Sequence, residues 1–240
     1  MDGGIVSCGF QYGCYLIEAA LIAFVALSSH RSRPVSVAAY LTSVLAAGLT
    51  RSYTLHRFGL HSPQYFYVYW TTDFLLVISA FILVCLFFRR ACLHQDKMWR
   101  FVRLLLTFIC VLVVGISGLF FSHNYGNLLA DFIVEFSQNL YFTCLVLNTL
   151  LYLMLHYINS TDDQLELLVC GLGIQFGGPA AALALVHLTN GGRFARLLVS
   201  HTFPLCTLSM LLVWAYVIAF VPRTAGGSAR RDVPLPAVPA

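Results

Sequence analysis

The residues in this sequence whose chemistry stands out are acids that lie inside long apolar runs. They are Glu18, Asp73, Asp131 and Glu135. A charged carboxylate in hydrocarbon is costly, so acids in such positions face a bundle interior, a water-filled cavity or a base. We therefore take these acids as the first candidates for an ion site, a proton path or a ligand site.

A stripe of polar residues accompanies two of these acids. The stripe consists of Asp131, Glu135, Gln138 and Asn139, which recur at spacings of three and four. Residues with these spacings share one face of a helix. Because so polar a face does not suit contact with lipid, we expect it to point inward, towards the segment that carries Asp73.

Two interpretations of the acids stay open. In the structural one, the acids pair with arginines near the outer ends of other helices and hold the bundle together; these are Arg51, Arg57, Arg193 and Arg196. In the functional one, an outward-facing polar pocket binds an ion or a small ligand. Its predicted lining residues are Glu18, Arg51, Tyr69, Trp70, Asp73, Asp131, Glu135, Gln138 and Asn139.

The elements that must position these residues are predicted from composition. Apolar residues make up 59% of the chain and charged residues 10%, whereas soluble domains carry about 25% charged residues. Lipid is therefore the expected solvent for most of the chain. Segments suited to span a bilayer are predicted at residues 12–29, 35–50, 64–88, 101–121, 127–157, 164–187 and 200–221.

The distribution of basic residues predicts the orientation of these segments. With the N-terminus outside, ten of the 14 basic residues lie on inner segments: Arg31, Arg33, Arg89, Arg90, Lys97, Arg100, Arg103, Arg223, Arg230 and Arg231. The positive-inside rule then favours an N-out, C-in topology. The sequence predicts an all-α, polytopic membrane protein whose bundle of seven transmembrane helices covers residues 1–222. Residues 223–240 are predicted to be a disordered, basic and Pro-rich cytoplasmic tail.

The sixth apolar segment contains residues that weaken or reshape helices. Gly177, Gly178 and Pro179 predict a kink or break near the middle of the membrane. Gly173 and Gly177 form a G-x-x-x-G pair, which favours close packing against a neighbouring helix. A packing kink and a broken helix whose backbone holds an ion or ligand both fit this pattern.

The third apolar segment begins with an aromatic cluster, YFYVYWTTDF, from Tyr65 to Phe74. Tyr and Trp favour the membrane interface, so the cluster is typical of an outer aromatic belt. The segment also resembles a group of uncharacterised seven-span integral membrane proteins of environmental bacteria, in which F-Y-x-Y-W precedes an acid, often Glu. Asp73 holds that position here. The resemblance implies a polytopic bundle and no reaction; we expect a multi-pass protein of the bacterial inner membrane.

Two histidines raise the question of a cofactor. His187 and His201 end one segment and begin the next, and paired histidines from neighbouring helices can hold haem or, with carboxylates, a metal. Histidines that form hydrogen bonds at the membrane interface are the alternative. The sequence has no H-E-x-x-H motif, P-loop or G-x-S-x-G elbow, so no catalytic residue and no cofactor is otherwise predicted.

Three functions fit these patterns. The first is a non-enzymatic sensor or receptor whose outer pocket binds a ligand. Binding would pass a helix shift to the basic inner loop at residues 89–103, where a cytoplasmic protein partner would bind. The second is a small-solute or proton-coupled transporter. The third is a haem- or metal-binding redox subunit. The basic loop is typical of a membrane-flanking segment rather than of nucleic-acid binding.

Overall fold

The computed structural model describes residues 2–27, 35–59, 62–92, 96–123, 128–157, 162–188 and 193–221, and all regular structure in them is helical. The predicted all-α fold is confirmed. The helices are α1 (Asp2–Leu27), α2 (Val35–Phe58), α3 (Pro63–Ala91), α4 (Asp96–His123), α5 (Leu128–Tyr157), α6 (Asp163–Leu188) and α7 (Arg193–Phe220). The predicted tail, residues 223–240, lies outside the described residues.

Local sequence signals explain the connection between α2 and α3. Gly59 has a φ of 79°, a left-handed conformation that suits glycine after the last turn of a helix. The side chain of Ser62 then accepts a hydrogen bond from the backbone N–H of Tyr65 at 3.1 Å. Pro63, at the first helical position, has no N–H to leave unpaired. These signals end α2 at Phe58 and begin α3 five residues later.

The helices pack around one main core. The most extensive packing is between α6 and α7, α2 and α3, and α3 and α5; α1 lies against α2 and α7, and α4 lies mainly against α5. Fully buried side chains in this core include Leu41, Phe87, Leu147, Leu168 and Trp214. We call the end of the bundle at which α2 ends and α3 begins the α2/α3 end, and the opposite end, at which α3 ends and α6 begins, the α3/α6 end.

Two helical segments are long and apolar enough to cross a membrane within the described part of the chain. They are Pro63–Ala91 and Asn139–Tyr157. Two shorter apolar segments, Tyr12–Leu27 and Pro204–Phe220, lie in α1 and α7. By length and composition, α3 and the Asn139–Tyr157 part of α5 could therefore span a membrane, and the seven-span arrangement belongs to the proposal below.

The sixth segment is described as one continuous helix, and the kink predicted at Gly177, Gly178 and Pro179 stays a prediction. α6 continues as one helix from Asp163 to Leu188, with Pro179 buried inside it. Proline lacks the N–H that would bond to the carbonyl four residues earlier, which here is that of Gln175. The hydroxyl of Tyr141 on α5 donates to this carbonyl at 3.0 Å. A side chain from the neighbouring helix therefore satisfies the backbone group that Pro179 leaves open, and α6 persists.

Glycines on α6 allow the neighbouring helices to approach closely. Of the predicted pair, Gly173 lies at such a contact with α5, because a Cβ on it would be 3.1 Å from Nδ2 of Asn148. The contacts with α7 involve other glycines. A Cβ on Gly171 would lie 2.7 Å from Nε1 of Trp214, and one on Gly178 would meet Sγ of Cys206. A Cβ on Gly177 would meet nothing within 4 Å. The close approach to α7 therefore occurs at Gly171 and Gly178.

Candidate functional site

The partner of Asp73 is Arg51. Nη2 of Arg51, on α2, lies 3.2 Å from Oδ1 of Asp73, on α3, and the two side chains are 21% and 31% exposed. Nε of Arg51 donates to Oγ1 of Thr72 at 2.7 Å, and Nη2 also donates to the carbonyl of Tyr69 at 3.2 Å. One guanidinium thus binds three residues of α3, Tyr69, Thr72 and Asp73, within about one turn of the helix.

Aromatic rings surround this ion pair. The guanidinium carbon of Arg51 lies 4.4 Å from the centre of the Tyr69 ring, a distance at which a cation is attracted to a ring face. The rings of Tyr69 and Trp70 lie edge to face, with centres 5.5 Å apart, and Phe66 lies edge to face with Trp70 at 5.9 Å. The aromatic cluster therefore supports the arginine as well as covering the helix end.

The pair keeps capacity for another partner. Within the described residues, Nη1 of Arg51 and Oδ2 of Asp73 make no hydrogen bond. A guanidinium has five N–H donors and a carboxylate has two acceptor oxygens. Because the pair is partly exposed, a polar ligand can bind these free positions without first breaking the existing ion pair.

Glu18 lies on α1, which packs against α2, and its environment differs from that of the pair. The hydroxyl of Tyr15 on α1 lies 3.1 Å from Oγ of Ser52, the residue after Arg51. Glu18 follows Tyr15 by three residues, which places it about 4.5 Å further into the bundle. It is 2% exposed, and its Oε2 atom has no hydrogen-bond partner among the described residues.

The other predicted pocket residues are only partly described. The side chains of Asp131, Glu135 and Gln138 lie outside the described residues, so their predicted inward direction stays a prediction. The rings of Phe74 and Phe136 have centres 5.3 Å apart, which places the backbone of the preceding residue, Glu135, at the level of Asp73. Asn139 is half-buried, and its carbonyl accepts a hydrogen bond from Thr143.

The predicted metal or haem site depends on side chains that are only partly described. Within the described part of the chain, no group of three or more His, Cys, Asp or Glu residues is placed to hold a metal ion. The side chains of His187 and His201 lie outside that part of the chain, so the predicted histidine pair stays a prediction.

Comparison with known proteins finds no match. No protein-family model, curated protein or solved structure matches this chain. The resemblance expected for the aromatic segment therefore stays an expectation, and the function has to be inferred from the geometry of the site.

Sequence reasoning missed a second charged cluster, at the α3/α6 end. Nε and Nη2 of Arg90 donate to the two carboxylate oxygens of Asp162, each at 2.9 Å, and Nη2 also donates to Oε1 of Gln164 at 2.9 Å. Oδ1 of Asp162 in turn accepts from the backbone N–H of Leu165, near the start of α6. The acidic stretch before α6 and the two arginines at the end of α3 were the signals that could have indicated this pair.

Sequence reasoning also missed polar side chains that bond to the backbone of α6. Nδ2 of Asn148 on α5 donates to the carbonyl of Val169 at 3.1 Å, and Nε1 of Trp214 on α7 donates to that of Leu168 at 3.0 Å. Both side chains are buried. Together with Tyr141, they fix α6 between α5 and α7, so α6 belongs to the rigid part of the bundle.

Proposed function

We propose that this chain is a multi-pass integral membrane protein of sensor or receptor type, and that the Arg51–Asp73 pair is its ligand site. The ligand is a small polar molecule that reaches the α2/α3 end from outside. The observation that carries the proposal is the partly exposed ion pair beside the Tyr69 ring, in which one donor group and one acceptor oxygen have no partner among the described residues.

The surface of the bundle supports a membrane location. Among the described side chains, large apolar ones are exposed on every helix except α6, and examples are Leu16, Leu75, Leu104, Leu153 and Leu212. Soluble proteins seldom expose contiguous apolar surface of this kind. The helices are 24 to 30 residues long, or about 36 to 45 Å at 1.5 Å per residue, which exceeds the bilayer core of about 30 Å. We infer seven spans, with the N-terminus outside.

A path from the site to the opposite end supports the sensor function. α3 carries Asp73 near its start and Arg90 near its end, which are about 25 Å apart along the helix. Arg90 is bound to Asp162 and Gln164 at the start of α6. A ligand that binds two positions of α3 with different affinity shifts the balance between them. Such a shift would change the position of the basic segment at residues 89–103, where we place the binding site of the cytoplasmic partner.

The site is tested by ligand-dependent thermal stability of the purified chain. Amino acids, dicarboxylates and polyamines are screened against the native chain and the variants Arg51→Gln, Asp73→Asn and Arg57→Gln. Arg57 is the matched control because it lies at the same end and, within the described residues, its hydrogen bond goes to the Tyr53 hydroxyl rather than to α3. A true ligand raises the midpoint temperature of thermal unfolding of the native chain and of Arg57→Gln. It leaves the midpoints of Arg51→Gln and Asp73→Asn unchanged. A ligand that stabilises Asp73→Asn as strongly as the native chain refutes the site.

The membrane location has its own test. Membranes that contain the chain are washed with alkaline carbonate, which removes peripheral proteins and retains spanning ones. We expect the chain to stay in the membrane pellet. Release into the supernatant would contradict the spanning bundle whatever the ligand screen shows.

A transporter is the second candidate, favoured by Glu18. A buried carboxyl group whose Oε2 atom has no hydrogen-bond partner among the described residues suits a group that binds and releases a proton or cation. The test is uptake into proteoliposomes under a proton gradient. Flux by the native chain that Glu18→Gln abolishes supports a transporter. Ligand binding without flux leaves the sensor function in place.

A further inference from the structure

One face of α4 carries a groove that the proposed ligand site does not use. It has a volume of about 520 Å³ and is lined by Arg100, Arg103, Leu104, Thr107, Phe108 and Val111. These residues recur at spacings of three and four, so they form one continuous face of the helix. All of them are exposed. The groove therefore lies on the outside of the bundle, where lipid would be in a membrane.

We propose that this groove binds one anionic phospholipid of the inner leaflet. The two arginines would hold the phosphate group, and the apolar residues would hold an acyl chain. This inference rests on the membrane location proposed above, because the positive-inside rule places the arginine end of α4 at the cytoplasmic surface.

The polarity of the groove matches the two parts of a phospholipid. Among the described residues that line it, the charged ones are Arg100 and Arg103, at one end, and none is an acid. Arginine binds phosphate oxygens through paired N–H donors. The hydroxyl of Thr107 already donates to the carbonyl of Arg103 at 2.9 Å, so the rest of the groove offers an acyl chain no unpaired donor.

The length of the groove also fits. Arg100 and Val111 are separated by eleven residues, or about 16 Å of helix. Half of a bilayer core is about 15 Å thick, so an acyl chain anchored at the arginines extends as far as Val111. The tail at residues 223–240 is a poor alternative occupant because it carries Arg223, Arg230 and Arg231, which the two groove arginines would repel.

The test is native mass spectrometry of the delipidated full chain in non-ionic detergent. Dioleoyl phosphatidylglycerol and dioleoyl phosphatidylcholine are added separately, because they share acyl chains and differ in charge. We expect one phosphatidylglycerol molecule to bind more tightly than phosphatidylcholine. One arginine near an anionic headgroup contributes about 1 kcal/mol, so Arg100→Gln and Arg103→Gln should each weaken phosphatidylglycerol binding about five-fold.

The matched control is Arg89→Gln, which removes one exposed arginine from the same end of the bundle but from α3. It should bind phosphatidylglycerol as the native chain does. Equal weakening in Arg89→Gln, or equal binding of the two lipids, overturns the proposal. So does a lipid-free dimer that Phe108→Ala dissociates, because a second copy of the chain would then occupy the groove.

A positional readout separates this groove from general lipid contact. Phe108→Trp adds a fluorophore to the apolar part, and phosphatidylglycerol with brominated acyl chains should quench the added fluorescence more than brominated phosphatidylcholine does. Equal quenching by both lipids overturns the proposal. If the carbonate wash retains the chain and this preference is absent, the groove inference fails alone; release by carbonate removes the membrane proposal on which it rests.

Discussion

The hydroxyl of Tyr141 occupies the hydrogen-bonding position that Pro179 leaves vacant at the carbonyl of Gln175. The proline removes a donor from α6, and the tyrosine supplies one from α5 at 3.0 Å. A residue that sequence rules associate with a break therefore lies inside a continuous helix.

This relationship predicts a specific coupling. Tyr141→Phe leaves the Gln175 carbonyl without its donor and should lower the free energy of unfolding by about 1 kcal/mol. In a Pro179→Ala background, the new N–H of residue 179 can bond to the same carbonyl. Tyr141→Phe should therefore lower the free energy of unfolding much less in that background. The measurement is a double-mutant cycle from unfolding in mixed micelles. The same loss in both backgrounds would show that the hydroxyl does not replace the proline donor.

Close packing at Gly171 leads to a second prediction. Gly171→Ala places a Cβ 2.7 Å from Nε1 of Trp214, and Trp214 is fully buried and bonded to the Leu168 carbonyl. Overpacking of this kind lowers the free energy of unfolding by about 1 to 3 kcal/mol. Gly177→Ala is the matched control, since its Cβ meets nothing within 4 Å and alanine favours the helix. If both variants are equally stable, the close approach of α6 and α7 is not a constraint.

Sequence patterns located helices better than they located contacts. Apolar runs and turn residues placed all seven segments, because each signal is local. The rotation of α6 about its axis is not encoded locally, since the helix is apolar on most faces. Gly173 and Gly177 were expected at a tight contact; Gly173 lies at one with α5, Gly177 does not, and the tight contacts with α7 are at Gly171 and Gly178.

The charged pairs also depend on contacts that local sequence patterns do not encode. Arg51 was among four arginines expected near the acids, but its pairing with Asp73 depends on the offset between α2 and α3. Glu18 has no such base among the described residues, although it was grouped with Asp73. The pair at Arg90 and Asp162 joins residues 72 positions apart, and no local pattern links them.

A third prediction concerns that pair. Asp162→Asn removes a carboxylate that accepts two hydrogen bonds from Arg90, so the free energy of unfolding should fall by about 1 to 3 kcal/mol. Asp163→Asn is the matched control, because it removes the same charge from the start of α6 and its side chain is exposed. Unfolding in mixed micelles measures both. Equal effects would mean that the charge acts on the helix terminus and not through Arg90.

The fourth prediction is a pH dependence at Cys92, which follows the last residue of α3. The side chain is 2% exposed, and burial raises the pKa of its thiol above the ordinary value of 9.0. A group whose pKa is raised by folding contributes stability that is fully present below its unfolded pKa and is lost as the pH rises through its folded pKa. The native chain should therefore lose more stability between pH 8 and pH 10 than Cys92→Ala does. Thermal unfolding at both pH values measures this difference. Because the change in stability with pH is compared between the native chain and Cys92→Ala, the constant effect of the lost sulfur atom cancels. Parallel slopes would show that the thiol titrates equally in the folded and unfolded chain.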